Sequence, residues 1–223
     1  MSTLPVSDRF AVADELFLIG HHEYTGKKHA GDEQFGLGLA AAVLIELGWQ
    51  RAIALDEGAV VVRTTPTFTG DPVLDHVLGK VAAQEPVTHP AASWIDYLRE
   101  DLYALVAERL KRQAVIEEVQ RGMLSRQSRL VAVNPFVAAR PRSLMLGVLR
   151  DPPGRRQPPA NAHYAVLAGL VAAMEMWEAI PTVGPEEAAY NAALLLDRMH
   201  PAEQAIIKGV TTTKAALARR VRR

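Results

Sequence analysis

The 223-residue chain contains no cysteine, so disulfides and thiolate zinc sites are both excluded, and a reducing cytoplasmic compartment is the expected setting. No apolar run is long enough to span a bilayer. The longest, Ala162–Trp177, carries His163 and Glu175 near its ends and falls short of the ~20 residues a spanning helix needs. It is expected to be a core helix. Met1–Asp14 lacks a basic start followed by an apolar stretch, so no signal peptide is expected. A Gly-x-Ser-x-Gly elbow and a Walker loop are also missing. Gly36-Leu-Gly38 has no third glycine and no preceding strand, so it is read as small residues that let helices pack closely.

Net charge is zero as well, but the balance is uneven along the chain. Residues 1–100 hold 7 Lys/Arg against 14 Asp/Glu, and residues 101–223 hold 18 against 11. Between Arg109 and Arg156, eleven basic residues face only Glu117, Glu118 and Asp151. Such separation of sign suits an anionic partner, membrane or nucleic acid. A solvated helix surface with charge pairing between subunits accounts for it equally well.

What is present is mainly helical. Leu37, Ala40, Ala41, Leu44, Ile45 and Leu47 recur at spacings of three and four, predicting a helix with one apolar face that closes at Gly48. Arg51–Leu55 and Ala59–Arg63 flank Asp56-Glu57-Gly58 as a strand–turn–strand. The pattern returns as a helix through Val115, Ile116 and Val119 to Gly122, a loop, and Leu130–Val133. Asp71-Pro72 predicts a capped helix start. Trp94–Val119 reads as one long or kinked helical region, and Pro141 as the start of another helix. Asp151–Pro159, with four prolines, is a loop. Pro185–Met199 and Pro201–Arg222 follow as helices, the last interrupted near Gly209. The expected architecture is mainly α, a single domain with a central helix bundle surrounded by amphipathic helices, and two β-hairpins.

Two clusters are candidates for chemistry. His21, His22 and His29 with Glu23, Asp32 and Glu33 have ligand types for zinc or manganese, but the histidines form no helical i, i+4 pair and the segment favours a polar surface loop around Thr25–Lys28. Arg109, Lys111 and Arg112 share one predicted helix, and Arg121, Arg126 and Arg129 surround the second hairpin. The planar guanidinium suits phosphate. Arg109, Arg112, Arg121, Arg126 and Arg129 are therefore the candidate lipid- or anion-binding residues, with apolar Leu124, Leu130 and Val131 beside them. The same hairpin could instead serve as a contact between copies of the chain. Nucleic-acid binding is the rival reading, because helix–hairpin units are like winged helices. Against it, the helix Glu33–Leu47 carries only Glu33 and Glu46, the wrong sign for a phosphate-facing helix.

Several motifs in order, Leu16–Ile19 before Thr25-Gly26, Val43–Leu47, Arg51–Ile53, Thr69–Asp75, Glu108-Arg-Leu110 and Arg121–Leu124, resemble the Golgi phosphoprotein 3 family. The resemblance covers residues 12–200, leaving 1–11 as an N-terminal segment and 201–223 as a C-terminal helix and basic tail. The Ala-, Arg- and Val-rich composition is similar to that of an actinobacterial member. The resemblance implies a non-enzymatic, cytoplasmic, peripherally membrane-associated protein without a cofactor. Eukaryotic relatives bind phosphatidylinositol 4-phosphate and act as adaptors for membrane-bound clients. It further implies an anionic lipid, a phosphoinositide included, and a client membrane protein as partners. Aligned without gaps, the positions of the eukaryotic headgroup pocket are Gly31, Ala40, Ala104 and Ala107 here, none of which can grip a phosphate.

Overall fold

The computed structural model describes residues 10–56, 58–62, 68–120, 128–150 and 161–221. Its elements are α1 (Val12–Ile19), α2 (Asp32–Trp49), β1 (Ile53–Asp56), β2 (Ala59–Val62), α3 (Pro72–Ala82), β3 (His89–Pro90) and α4 (Ala91–Arg112). They continue with β4 (Ile116–Gln120), β5 (Ser128–Ala132), α5 (Pro135–Arg150), α6 (Ala162–Ala173), α7 (Pro185–Leu196) and α8 (Pro201–Val221). A 3-10 turn, Trp177–Ala179, separates α6 from α7. The fold is mainly α, one domain with two small antiparallel sheets, as its patterning predicts.

α2 is the axis. Every residue from Phe35 to Leu47 is buried, so its apolar surface is the whole circumference rather than one face. Helices α1, α3, α4, α6 and α8 pack around it. The small residues make this possible: a Cβ on Gly36 would fall 2.1 Å from the Arg99 carbonyl oxygen of α4. The close-packing reading of Gly36 thus holds. α6 is buried from His163 to Val171 beside this axis. α8 belongs to the same core, burying Ile206, Ile207, Val210 and Leu217, and runs unbroken through Gly209.

Local differences from the sequence patterning have local causes. α2 continues through Gly48 to Trp49, and the left-handed residue after it is Arg51 (φ 58°). The expected helix from Trp94 to Val119 stops at Arg112, where Ala114 turns left-handed (φ 54°). Beyond it, β-branched Val115, Ile116 and Val119 favour an extended chain. Ile116–Gln120 then pairs with Ser128–Ala132, so the second hairpin begins earlier than expected, and Gly122 lies outside the described residues. The helix expected from Pro141 begins at Pro135, because the Asn134 side chain accepts from the Phe136 and Val137 amides. The helix expected over Ala162–Trp177 ends at Ala173, with Glu175 left-handed. The Asp71-Pro72 start is as read: Asp71 Oδ1 accepts from the Val73 and Leu74 amides at 2.8 and 3.0 Å. The first sheet gains β3, which pairs with β2.

Candidate anion-binding cleft

Three segments enclose a cleft of about 760 Å³. One face of α4 supplies Tyr103, Ala104, Ala107, Glu108 and Lys111, which recur at helical spacings of three and four. The β4–β5 hairpin supplies Glu118, Ser128, Arg129 and Leu130. The third wall is the turn after α1, with Gly26, Lys27 and Lys28. Gly26 closes that turn by donating its amide to the His22 carbonyl at 2.8 Å. Its φ of +61° suits glycine, and a Cβ there would sit 2.1 Å from the Leu130 carbonyl oxygen. The turn therefore lies directly on the hairpin, and Arg129 Nη1 donates across the junction to the Thr25 carbonyl at 3.4 Å.

Four cations, Lys27, Lys28, Lys111 and Arg129, line the cleft against two carboxylates, Glu108 and Glu118. Lys28 Nζ lies 2.5 Å from Asp32 and 4.0 Å from the centre of the Tyr103 ring. Burial opposes its charge, but the Asp32 hydrogen bond and Tyr103 outweigh it and hold the ammonium above the usual lysine range. Lys111 pairs with Glu108 at 3.0 Å, which lowers that carboxyl. Lys27 is exposed and has no carboxylate partner among the described residues. Tyr103 is fixed from below. Burial pushes the His21 imidazole down to about 4, so it is neutral at pH 7. His21 Nδ1 lies 2.7 Å from the Phe17 carbonyl, which can only accept, so this nitrogen carries the proton and Nε2 accepts from the Tyr103 hydroxyl at 3.0 Å.

The arginines chosen from sequence separate into distinct groups. Arg129 lines the cleft. Arg112 is 60% exposed on α4 and leans toward Glu108 at 3.8 Å. Arg121 and Arg126 lie outside the described residues. Arg109 does not belong on a binding face: it is 4% exposed and faces inward. Its Nε donates to Asp14 at 2.9 Å and its Nη1 to Asp71 at 2.6 Å, while Nη2 lies 2.7 Å from the same Asp14 oxygen, off the hydrogen-bonding direction. A guanidinium enclosed by two carboxylates has nothing left for a lipid phosphate.

Of the four aligned pocket positions, Ala104 and Ala107 line the cleft, Ala40 is buried inside α2, and Gly31 caps that helix. The charge at the cleft thus comes from other positions, Lys111 on the same face of α4 and Lys27, Lys28 and Arg129 on the other two walls. Lys27, Lys28 and Lys111 are the functional candidates that the arginine count passed over; the adjacent lysines in a glycine turn were the available signal. His21 is a buried strut rather than a ligand, and no group of three or more His, Asp or Glu side chains among the described residues could hold a metal ion. α2 is enclosed by other helices and so cannot enter a nucleic-acid groove, which removes the winged-helix reading of the first unit.

Three of the family-like motifs, Val43–Leu47, Thr69–Asp75 and Glu108-Arg-Leu110, meet instead in a network of buried and half-buried side chains. Glu46, of Val43–Leu47, accepts the Val12 amide and so caps α1 from another helix. Asp71 caps α3 with one oxygen and holds Arg109 with the other. Asp75 accepts from the Thr69 amide and hydroxyl at 2.6 and 2.7 Å. Burial dominates two of these carboxyls, raising Glu46 to about 8 and, against the pull of Arg109, Asp14 to about 6. Folding shifts each toward its neutral form, and at pH 7 Glu46 is protonated while Asp14 is ionised beside Arg109. Their contribution to stability is therefore complete below about pH 4 and is lost as pH rises through 6 and then 8. Glu46→Gln keeps an acceptor for Val12 and removes the ionisation. Urea unfolding at pH 5.5 and 8.5 should show the wild type losing on the order of 2–4 kcal/mol more than this variant. Equal losses would contradict a neutral Glu46.

Comparison with known proteins places these observations in a family. A family model described as Golgi phosphoprotein 3 (GPP34) matches residues 12–213, from the first residue of α1 into α8. No curated protein matches the chain.

Proposed function

We propose, from the premise that this chain belongs to the Golgi phosphoprotein 3 family, that it is a non-enzymatic protein that docks on anionic lipid surfaces by seating a lipid phosphate in the α4–hairpin cleft. The observation that carries this reading is the convergence of Lys27, Lys28, Lys111 and Arg129, from three separate segments, on one open cleft. Lys28 and Lys111 are held by acidic neighbours and set the local field; Lys27 and the outer edge of Arg129 supply donors to the ligand. No helix among the described residues is long and apolar enough to cross a membrane, so attachment of this kind is peripheral. A cytoplasmic setting, a client membrane protein and self-association through the β4–β5 hairpin are further parts of this reading.

Flotation with phosphatidylcholine vesicles, with and without phosphatidylglycerol, tests it. Wild-type protein should float only with the anionic vesicles, and less as salt rises, because each basic residue near such a surface is worth about 1 kcal/mol. Reversing Lys27 and Arg129 to glutamate should abolish flotation. Equal flotation of both proteins would remove the cleft from the binding surface. At equal vesicle charge, phosphatidylinositol 4-phosphate should give little advantage, since Ala104 and Ala107 leave the α4 wall without the bidentate donors that select one headgroup.

A further inference from the structure

α5 is unusual in what it shows to solvent. Its sixteen residues contain Arg140, Arg142 and Arg150 and no acidic residue. Its inner side buries Ala138, Pro141, Met145 and Leu149 against the bundle. Its outer side exposes Phe136, at 83% the most exposed of its large apolar residues, together with Val137 and Leu144. Arg140 is exposed on the same side, four residues from both Phe136 and Leu144, and Arg150 is exposed at the end of the helix. Neither has a carboxylate partner among the described residues. Val133, just before the helix, extends the apolar patch. A surface helix usually turns its apolar residues inward, so a second apolar stripe needs a partner.

We infer that this outer face of α5 is a membrane-insertion surface, in which Phe136, Val137 and Leu144 enter the headgroup–acyl boundary of an anionic bilayer while Arg140 and Arg150 stay at the phosphates. The inference rests on the lipid-surface reading above and adds to it a second point of attachment. Two observations favour a bilayer over a protein groove. Neither cation has a carboxylate partner among the described residues, and Arg140 stands between Phe136 and Leu144, as an anionic interface requires. α5 is also tied to the segment that carries Lys27 and Lys28: from the side of the helix away from this face, Arg142 donates to Glu23 at 3.0 Å and to the His21 carbonyl at 3.1 Å.

Because the chain has no cysteine, a single introduced one can be labelled cleanly with an environment-sensitive nitrobenzoxadiazole dye. Full-length protein labelled at Phe136→Cys or Leu144→Cys should brighten and shift to the blue on anionic phosphatidylcholine–phosphatidylglycerol vesicles. Label at Tyr97→Cys, exposed on α4, should not change. Phe136→Asp should lower vesicle partitioning about tenfold or more, the equivalent of losing one buried apolar side chain. A lowered thermal midpoint in that variant would disqualify it, and the labelled proteins then decide. Flotation without a spectral change at residues 136 and 144 would overturn the insertion surface and leave the cleft reading intact. No flotation of any variant or of the wild type would overturn both. A spectral change that grows with protein concentration in the absence of vesicles would assign the face to a second copy of the chain, and so overturn it as a membrane surface.

Discussion

Replacing Arg109 with alanine is expected to destabilise the protein by about 3–5 kcal/mol, the range for removing one partner of a buried ion pair. The substitution leaves Asp14 and Asp71 facing an empty volume, with Asp14 almost wholly buried. Asp71 would also lose the contact that orients it as the cap of α3. The contrast with Arg112→Ala makes the test sharp. Arg112 lies three residues away on the same helix, is 60% exposed, and pairs only loosely with Glu108, so its loss should change stability by less than about 1 kcal/mol. Denaturant unfolding of both variants measures the difference. Coupling can be isolated with Asp14→Asn, since the Arg109 and Asp14 effects should be strongly non-additive. Similar small losses at both arginines would mean that Arg109 is not enclosed.

Leu170→Ala is the second large effect. Leu170 is 0% exposed in the middle of α6, which packs on α1, α2, α5, α7 and α8, so neighbouring elements are fixed on every side and cannot readily collapse into the space. A loss of about 2–5 kcal/mol is expected for such a site. The thermal midpoint should fall accordingly, while vesicle binding should persist in the folded fraction because α6 carries no lysine or arginine. An unchanged midpoint would overturn the placement of this helix in the core. Tyr190→Ala, at an exposed position on α7, serves as the matched surface control.

These two residues also divide what local patterning can reveal from what it cannot. The apolar continuity of Ala162–Val171 already marks a buried helix, because a segment apolar on all sides has no face to offer water. The Asp71-Pro72 start and the Asp56–Gly58 hairpin are equally local, since caps and turns are made by residues within four positions of one another. The family itself was legible in the order of short motifs, and the match to residues 12–213 bears it out.

Arg109 and Arg112 show where such signals end. Both are arginines in the last turns of one helix, alike in propensity and charge; the Glu108-Arg-Leu110 motif and the spacing from Leu102 and Val106 set Arg109 apart, but neither names the partners that enclose it. Their roles diverge because α1 and the turn before α3 bring Asp14 and Asp71 to one side of α4 and leave the other side in water. The cleft is of the same kind. Lys27 and Lys28 meet Lys111 and Arg129 only after the Gly26 turn has settled on the hairpin, across about a hundred residues of intervening chain. By itself the sequence determined most of the helices, the Asp71 cap and the residues that must leave water, which depend on neighbours along the chain, whereas the cap on α1 comes from Glu46 on another helix. Which charges would be enclosed and which would face a ligand depended on partners distant in sequence, and the tertiary structure alone decided it.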